Sequence, residues 1–235
     1  LEEHDAGFDM QVVKVPIVCG ASLFDLSVGN AHIRPDKEMG YAACVDAEND
    51  TVLEGNHGAG TGASVGKLLG FERAMKSGIG TCGIQVGDLQ VAAIVAVNAC
   101  GNVVDYETNE LLAGVYDANS NTMIKAEDVL FQQMDAMRKL PEGNTTIGCI
   151  VTNAKLDKAQ CTKIAGIAHN GYARAIHPVH TMSDGDSIFV LSSGEVEVMA
   201  DAVGMLATEM MAKAIKRAVL HAQSAYGLPA HQDIV

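Results

Sequence analysis

The chain reads as a layered α/β sandwich, and three observations carry that reading. Short apolar runs bounded by turn residues fill the first half, strand and helix patterns alternate in the second, and two long segments of helical spacing follow the strands they would cover. With 235 residues there is chain enough for one large domain or two small ones, with an ample core. Trp is absent and aromatic residues make up only 4%, while Gly, Ala and Val abound, so helices are expected to lie close on the sheet through small side chains.

Taken in order, Tyr41–Asp46, Gly80–Val86 and Val91–Val97 are apolar runs between turn residues and are predicted as strands. Ala99-Cys100-Gly101-Asn102 is predicted as a turn leading into Val103–Asp105, and Asp117 to Asn121 as a polar loop. From Ala126 to Leu140 apolar residues recur at helical spacing (Val129, Leu130, Met134, Met137, Leu140), and Pro141 ends the segment. Thr146–Val151 is predicted as a strand. Asp157 with Gln160 offers a capping box for a helix running to about Arg174. Ser187–Leu191 is a further strand, and Val198 to about Ala225 a long helix rich in Ala and Met, stopped near Gly227-Leu228-Pro229.

Composition excludes some functions. A net charge of −13 lacks the basic face that neutralises phosphates, so no nucleic-acid partner is expected. No uninterrupted apolar run is long enough to span a bilayer, and no membrane partner is expected. The six cysteines are scattered without a CxxC pair, which argues for free thiols, mostly buried, in a reducing cytoplasm. No basic-then-apolar leader opens the chain, and Leu1-Glu2-Glu3-His4 reads like the tail of a helix, so the natural protein is expected to extend upstream of Leu1.

Several motifs could carry chemistry. Gly58-Ala59-Gly60-Thr61-Gly62-Ala63-Ser64-Val65-Gly66-Lys67 invites a phosphate-loop reading, but Thr61 stands where that loop needs glycine and Leu68 where it needs Ser or Thr. A tight backbone loop lining a substrate cleft, with Gly60, Thr61 and Gly62 at the substrate, is the better expectation. His177-Pro178-Val179-His180 followed by Asp184 and Asp186 has the elements of a metal site, yet Pro178 keeps the two imidazoles from sharing a helix face. No metal and no cofactor are expected. Asp184-Gly185-Asp186 is either a surface turn or a carboxylate pair that orients a nearby α-amine. Asn98, at the end of an apolar strand, is either a cap or an oxyanion donor.

The most informative stretch is Gly143-Asn144-Thr145-Thr146 before the apolar strand. Pro141 to Asn144 suits a turn, and Asn144-Thr145-Thr146 fits a glycosylation sequon, as does Asn49-Asp50-Thr51. If the Asn144–Thr145 bond is cut, however, Thr145 carries both a hydroxyl and an α-amine of pKa about 7.7–8.0, a nucleophile with its own general base.

Together these segments resemble a known family. Gly58-Ala59-Gly60-Thr61-Gly62-Ala63, Lys76-Ser77-Gly78-Ile79-Gly80-Thr81, Ala96-Val97-Asn98-Ala99, Gly143-Asn144-Thr145-Thr146, Ala173-Arg174-Ala175-Ile176-His177-Pro178-Val179-His180-Thr181 and Asp184-Gly185-Asp186 occur in the order found in the DmpA-type self-processing aminopeptidases. That group includes L-aminopeptidase/D-esterases, β-peptidyl aminopeptidases and a pantetheine hydrolase. The resemblance runs from about Lys14 to Gly194. It implies a four-layer αββα sandwich, N-terminal-nucleophile-like and related to ornithine acetyltransferase. It also implies a precursor cut into an α-subunit (1–144, with an upstream part missing) and a β-subunit (145–235), assembled into a homo-oligomer of processed αβ protomers. Residue by residue, Thr145 corresponds to the nucleophile, Asn98 to the oxyanion-hole amide, and Asp184 and Asp186 to a Ser and a Glu that support the nucleophile. The family's substrate-contacting Tyr falls near Leu23 or Phe24, where that contact is expected to be lost. The activity implied is an aminopeptidase acting on short peptides or amino-acid amides or esters through an acyl-enzyme on Thr145. A pantetheine-type amidohydrolase, an acetyltransferase on a related fold and a self-cleaved protein without turnover are the other classes to separate.

Overall fold

The computed structural model describes residues 1–47, 52–132 and 143–234. The distal half of the helix expected over 126–140, the Pro141 turn and the Asn49 sequon lie outside the described residues. In chain order the elements are β1 (Phe8–Asp9), β2 (Lys14–Val15), α1 (Lys37–Asp46), β3 (Ser64–Val65), β4 (Met75–Lys76), β5 (Ile79–Val86), β6 (Leu89–Ala96) and β7 (Asn102–Val104). There follow β8 (Leu111–Ala113), β9 (Val115–Asp117), β10 (Thr122–Ile124), α2 (Ala126–Gln132), β11 (Ile147–Ala154), α3 (Lys158–Ala175), β12 (Ile176–His177), β13 (Ser187–Val196) and α4 (Ala200–Leu220).

One expectation is corrected outright. Tyr41–Asp46, read as a strand, is the second half of α1. The Asp36 carboxylate caps that helix by accepting the Met39 N–H at 2.9 Å, and Ala42 and Ala43 favour it. None of its residues is buried, so there is no pleated face to enforce a strand. Other elements keep their place with shifted bounds. Asp117 to Asn121 closes the β9–β10 hairpin, the Asp157–Gln160 capping box starts α3, and α4 stops at Leu220, short of Ala225.

The central sheet has the order β13-β11-β6-β5. β5 and β6 form an antiparallel hairpin, β11 runs antiparallel to β6, and β13 runs parallel to β11. Helices α3 and α4 pack on each other and cover one face. Val203, Ala207, Met211, Ala214 and Ala218 recur at helical spacing on α4 and are buried against strand residues such as Val91, Val95 and Ile150. A three-stranded sheet, β12-β7-β8, adjoins this core.

Two glycines set how closely α4 approaches its neighbours β5 and α3. A Cβ at Gly80 would stand 2.1 Å from the Ala214 carbonyl oxygen, and one at Gly171 would stand 2.7 Å from that of Thr208. Gly80→Ala is therefore expected to push α4 off β5 and cost about 1–3 kcal/mol. In a chain of this size that lowers the thermal midpoint by roughly 2–4 °C per kcal/mol, and a melt with an unchanged midpoint would contradict this packing.

The register also places the loops. Ile147 pairs with Ala96 and with Ser187, and Ala96 pairs with Ile79. The end of β6 and the starts of β5, β11 and β13 thus form one row. The residues just beyond them (Asn98, Thr145, Asp184 and Asp186) all emerge at the same end of the sheet.

Candidate active site

The Asn144–Thr145 peptide is gripped on both sides. The Thr145 N–H donates to the Asn98 carbonyl oxygen at 3.0 Å, and the Asn144 carbonyl oxygen accepts from the Gly185 N–H at 2.8 Å. The Thr145 hydroxyl donates to that same Asn144 oxygen at 2.6 Å. A further bond runs from the Asn144 N–H to the Ser183 carbonyl oxygen at 3.1 Å. Asn144 is only 1% exposed, so its sequon offers no surface for a glycan. Gly143 has φ +89°, and a Cβ there would meet the Phe24 ring at 2.3 Å, so the turn requires glycine.

Asn98 is fully buried, and both polar atoms of its side chain are engaged. Its Oδ1 accepts from Lys67 Nζ at 2.7 Å and from the Ser64 N–H at 3.2 Å. Its Nδ2 donates to the Phe24 carbonyl oxygen at 3.0 Å. The amide expected to receive an oxyanion therefore already holds a carbonyl, supplied by the N-terminal segment. Phe24, where a substrate contact was expected to be lost, reaches the site through its backbone and its ring.

Lys67 is a site residue that sequence reasoning passed over. Its Nζ contacts Asn98 at both Oδ1 and the backbone oxygen (3.3 Å), and the latter also holds the Thr145 N–H. The strand β3 delivers it: Gly66 and Lys67 N–H groups donate to the Gly101 and Cys100 carbonyl oxygens at 2.9 and 2.8 Å. Burial brings its ammonium down to a pKa of about 7, against the opposing pull of Cys100, Asp184 and Asp25. The signal was Lys67 itself, standing at the end of the glycine-rich loop that fails as a phosphate loop. Lys76, also buried, donates to the Gly60 and Ala63 carbonyl oxygens at 2.8 and 3.0 Å and pins that loop.

The two aspartates support the loops without touching the Thr145 hydroxyl. Asp184 accepts from the Cys100 N–H at 3.1 Å and from the Thr181 N–H and hydroxyl at 3.0 and 2.6 Å, tying the 98–101 and 181–187 loops together. Asp186 accepts the Thr146 N–H at 2.9 Å through one oxygen and meets His180 Nδ1 at 2.7 Å through the other. Burial raises the Asp186 carboxyl above its usual range, partly offset by the Thr146 N–H.

Of the three residues expected at the substrate, Thr61 lines a cavity of about 760 Å³. Gly60 instead packs against the Gly55 and Gly78 backbone, and Gly62 against the Asp25 carboxylate. The cavity lies between the Ala21–Asp25 segment, the Gly58–Thr61 loop and the second face of the central sheet. Met39, Ile79, Ile94, Ile147 and Phe189 give it an aliphatic and aromatic wall. The cysteines differ from expectation: all are free, but Cys19 and Cys44 are exposed and Cys100 alone is fully buried. Among the described residues no group of three or more His, Cys, Asp or Glu is placed to hold a metal ion. Nor, among them, is any helix long and apolar enough to cross a membrane.

This fold is that of an aminopeptidase-type α/β sandwich. A Burkholderia sp. β-aminopeptidase superposes with a TM-score of 0.58 at 20% identity, over 90% of this chain and 62% of that one. The chain belongs to peptidase family S58, whose family model matches residues 1–232. An uncharacterized aminopeptidase of Mycobacterium leprae is 38% identical over 256 residues, covering 98% of this chain and 68% of the relative. A 6-aminohexanoate-oligomer endohydrolase of Paenarthrobacter ureafaciens is 31% identical over 92% of this chain and 63% of its own length. The chain thus spans about two-thirds of the length of these relatives.

Proposed function

We propose that the chain is a self-processing amide hydrolase that cuts its own Asn144–Thr145 bond and then works as an aminopeptidase from the new N-terminal threonine. The clamp on that bond carries the reading: the Thr145 hydroxyl and the Gly185 N–H both meet the Asn144 carbonyl oxygen, at 2.6 and 2.8 Å. In maturation the Thr145 Oγ1 bonds to the Asn144 carbonyl carbon, the C–N bond breaks, and the hydroxyl proton ends on the freed amine. Water then hydrolyses the ester and leaves an Asn144 carboxylate. Charge develops on the oxygen to which the Gly185 N–H already donates, where such a donor is typically worth about 2.7–4 kcal/mol.

In turnover the Thr145 amine takes the hydroxyl proton and the hydroxyl attacks a substrate amide, giving an acyl-enzyme that water clears. Asn98 serves as oxyanion donor once a substrate carbonyl displaces that of Phe24. Asp184 and Asp186 hold the loops that frame the amine. The cavity wall of Ile79, Ile94, Ile147 and Phe189 favours short amides with aliphatic chains.

Intact mass of the full-length protein under denaturing conditions tests the reading. Two fragments are expected, the second beginning at Thr145, together with turnover of amino-acid amides or short peptides in a panel that also holds pantetheine and an acetyl donor. A single uncut chain would overturn it. Two fragments with no turnover would leave a self-cleaved binding protein.

A further inference from the structure

The sequence offered His177-Pro178-Val179-His180 as half of a metal site, and the mechanism so far leaves His180 without a task. Its ring is held firmly. Nδ1 stands 2.7 Å from Asp186 Oδ2, and the ring centroid lies 4.9 Å from that of His169 and 5.9 Å from that of Tyr172. The backbone at His180 has φ +54°, a left-handed conformation that a non-glycine residue adopts at a cost. The imidazole is thus committed to a carboxylate.

That carboxylate bridges to the nucleophile's neighbour. The other Asp186 oxygen accepts the Thr146 N–H at 2.9 Å, while the Tyr172 hydroxyl donates to the Thr146 carbonyl oxygen at 3.3 Å and to that of Ser187 at 3.2 Å. Thr146 is therefore fixed from both sides, and its direction sets where Thr145 points. A carboxylate anchored through one oxygen can rotate; anchored through both it cannot.

We propose that His180 is a positioning residue: by holding one oxygen of Asp186 it keeps the other on the Thr146 amide and so aims Thr145. This rests on the reading of Thr145 as nucleophile. The pair spans from surface to interior, since the His180 side chain is 38% exposed and that of Asp186 only 5%. Other titratable groups face it. From α3 come His169, whose basicity burial and His180 lower, and Tyr172, whose hydroxyl burial pushes up. Asp184 faces it from the same loop, and Cys149 on β11 faces Tyr172. Burial and Asp184 raise the Asp186 carboxyl, whereas the Thr146 N–H and His180 hold it down. Removing His180 makes Asp186 easier to protonate, so the acid limb of the rate profile moves to higher pH.

The test compares His180→Gly, which suits the left-handed backbone but removes the ring, with His180→Asn, which suits it and places an amide N–H near the lost Nδ1. In the full chain, self-cleavage by the Gly variant is expected to slow roughly tenfold at neutral pH, with its acid limb about one pH unit higher. The Asn variant should recover most of the rate. Carboxyl-carbon NMR titration in a Thr145→Ala background supplies a readout independent of activity: the Asp186 midpoint should rise on His180→Gly. An unchanged midpoint, a wild-type profile in the Gly variant, or an Asn variant no better than Gly would overturn the assignment. If the unsubstituted chain never cuts itself, the reading of Thr145 fails, and the midpoint still decides the His180–Asp186 pairing.

Discussion

A chain carrying Thr145→Ala is expected to stay one uncut polypeptide and to hydrolyse no amide above background. The substitution removes the hydroxyl that meets the Asn144 carbonyl oxygen and changes little else, because the Thr145 N–H keeps its bond to Asn98 and the Gly185 N–H keeps its own to Asn144. Folding should therefore survive, and circular dichroism beside the mass spectrum separates a dead site from a collapsed one. Thr145→Ser is the companion: it retains the hydroxyl and should still cut. Efficient cutting by the Ala variant would move the nucleophile elsewhere.

Lys67→Met should lower any turnover by about a hundredfold or more, the scale of losing a group that orients an oxyanion donor, and should slow self-cleavage as well. Methionine fills the buried space but offers nothing to Asn98 Oδ1 or to the Asn98 backbone oxygen that holds the Thr145 N–H. Stability should move independently. Burial holds the folded-state pKa of Lys67 near 7 against a reference of 10.5, so between those values the unfolded chain binds more protons and stability rises with pH. Lys76, brought to about 8 by burial, contributes a slope of the same sign. In the Met variant the Lys67 part of that slope disappears, and denaturant titrations from pH 7 to pH 10 should show a flatter rise. A Met variant with the original rate and the original slope would take Lys67 out of the site.

How much was legible follows from what each residue depends on. Thr145, Asn98 and the Asp184-Gly185-Asp186 turn could be picked out because each sits at a strand end, where a local apolar run stops and turn chemistry begins. That those ends form one row is a matter of register, which no single strand carries; pairing of Ile147 with both Ala96 and Ser187 brings the loops together. Lys67 was in view but lacked a partner, since Asn98 lies 31 residues further along and only β3 aligns them. Phe24 gave no pattern at all, because it engages the site partly through its backbone carbonyl. The error at Tyr41–Asp46 has a simpler cause. A short apolar run has no period, and a capping Asp36 outside it decided for helix.

Strand β11 lies between β6 and β13, hydrogen-bonded to both. Cutting before it would leave the β5–β6 hairpin on one polypeptide, and β11, β13, α3 and α4 on the other, with neither able to bury its apolar face alone. The link between them would then matter only once. While intact it holds the two halves at a high effective concentration, so that assembly is a unimolecular search. Afterwards the same structure would be a non-covalent complex, and a pair separated by unfolding would have to meet again from solution. Dilution, harmless to an uncut chain, would oppose recovery of a processed one, so folding would have to come before cutting.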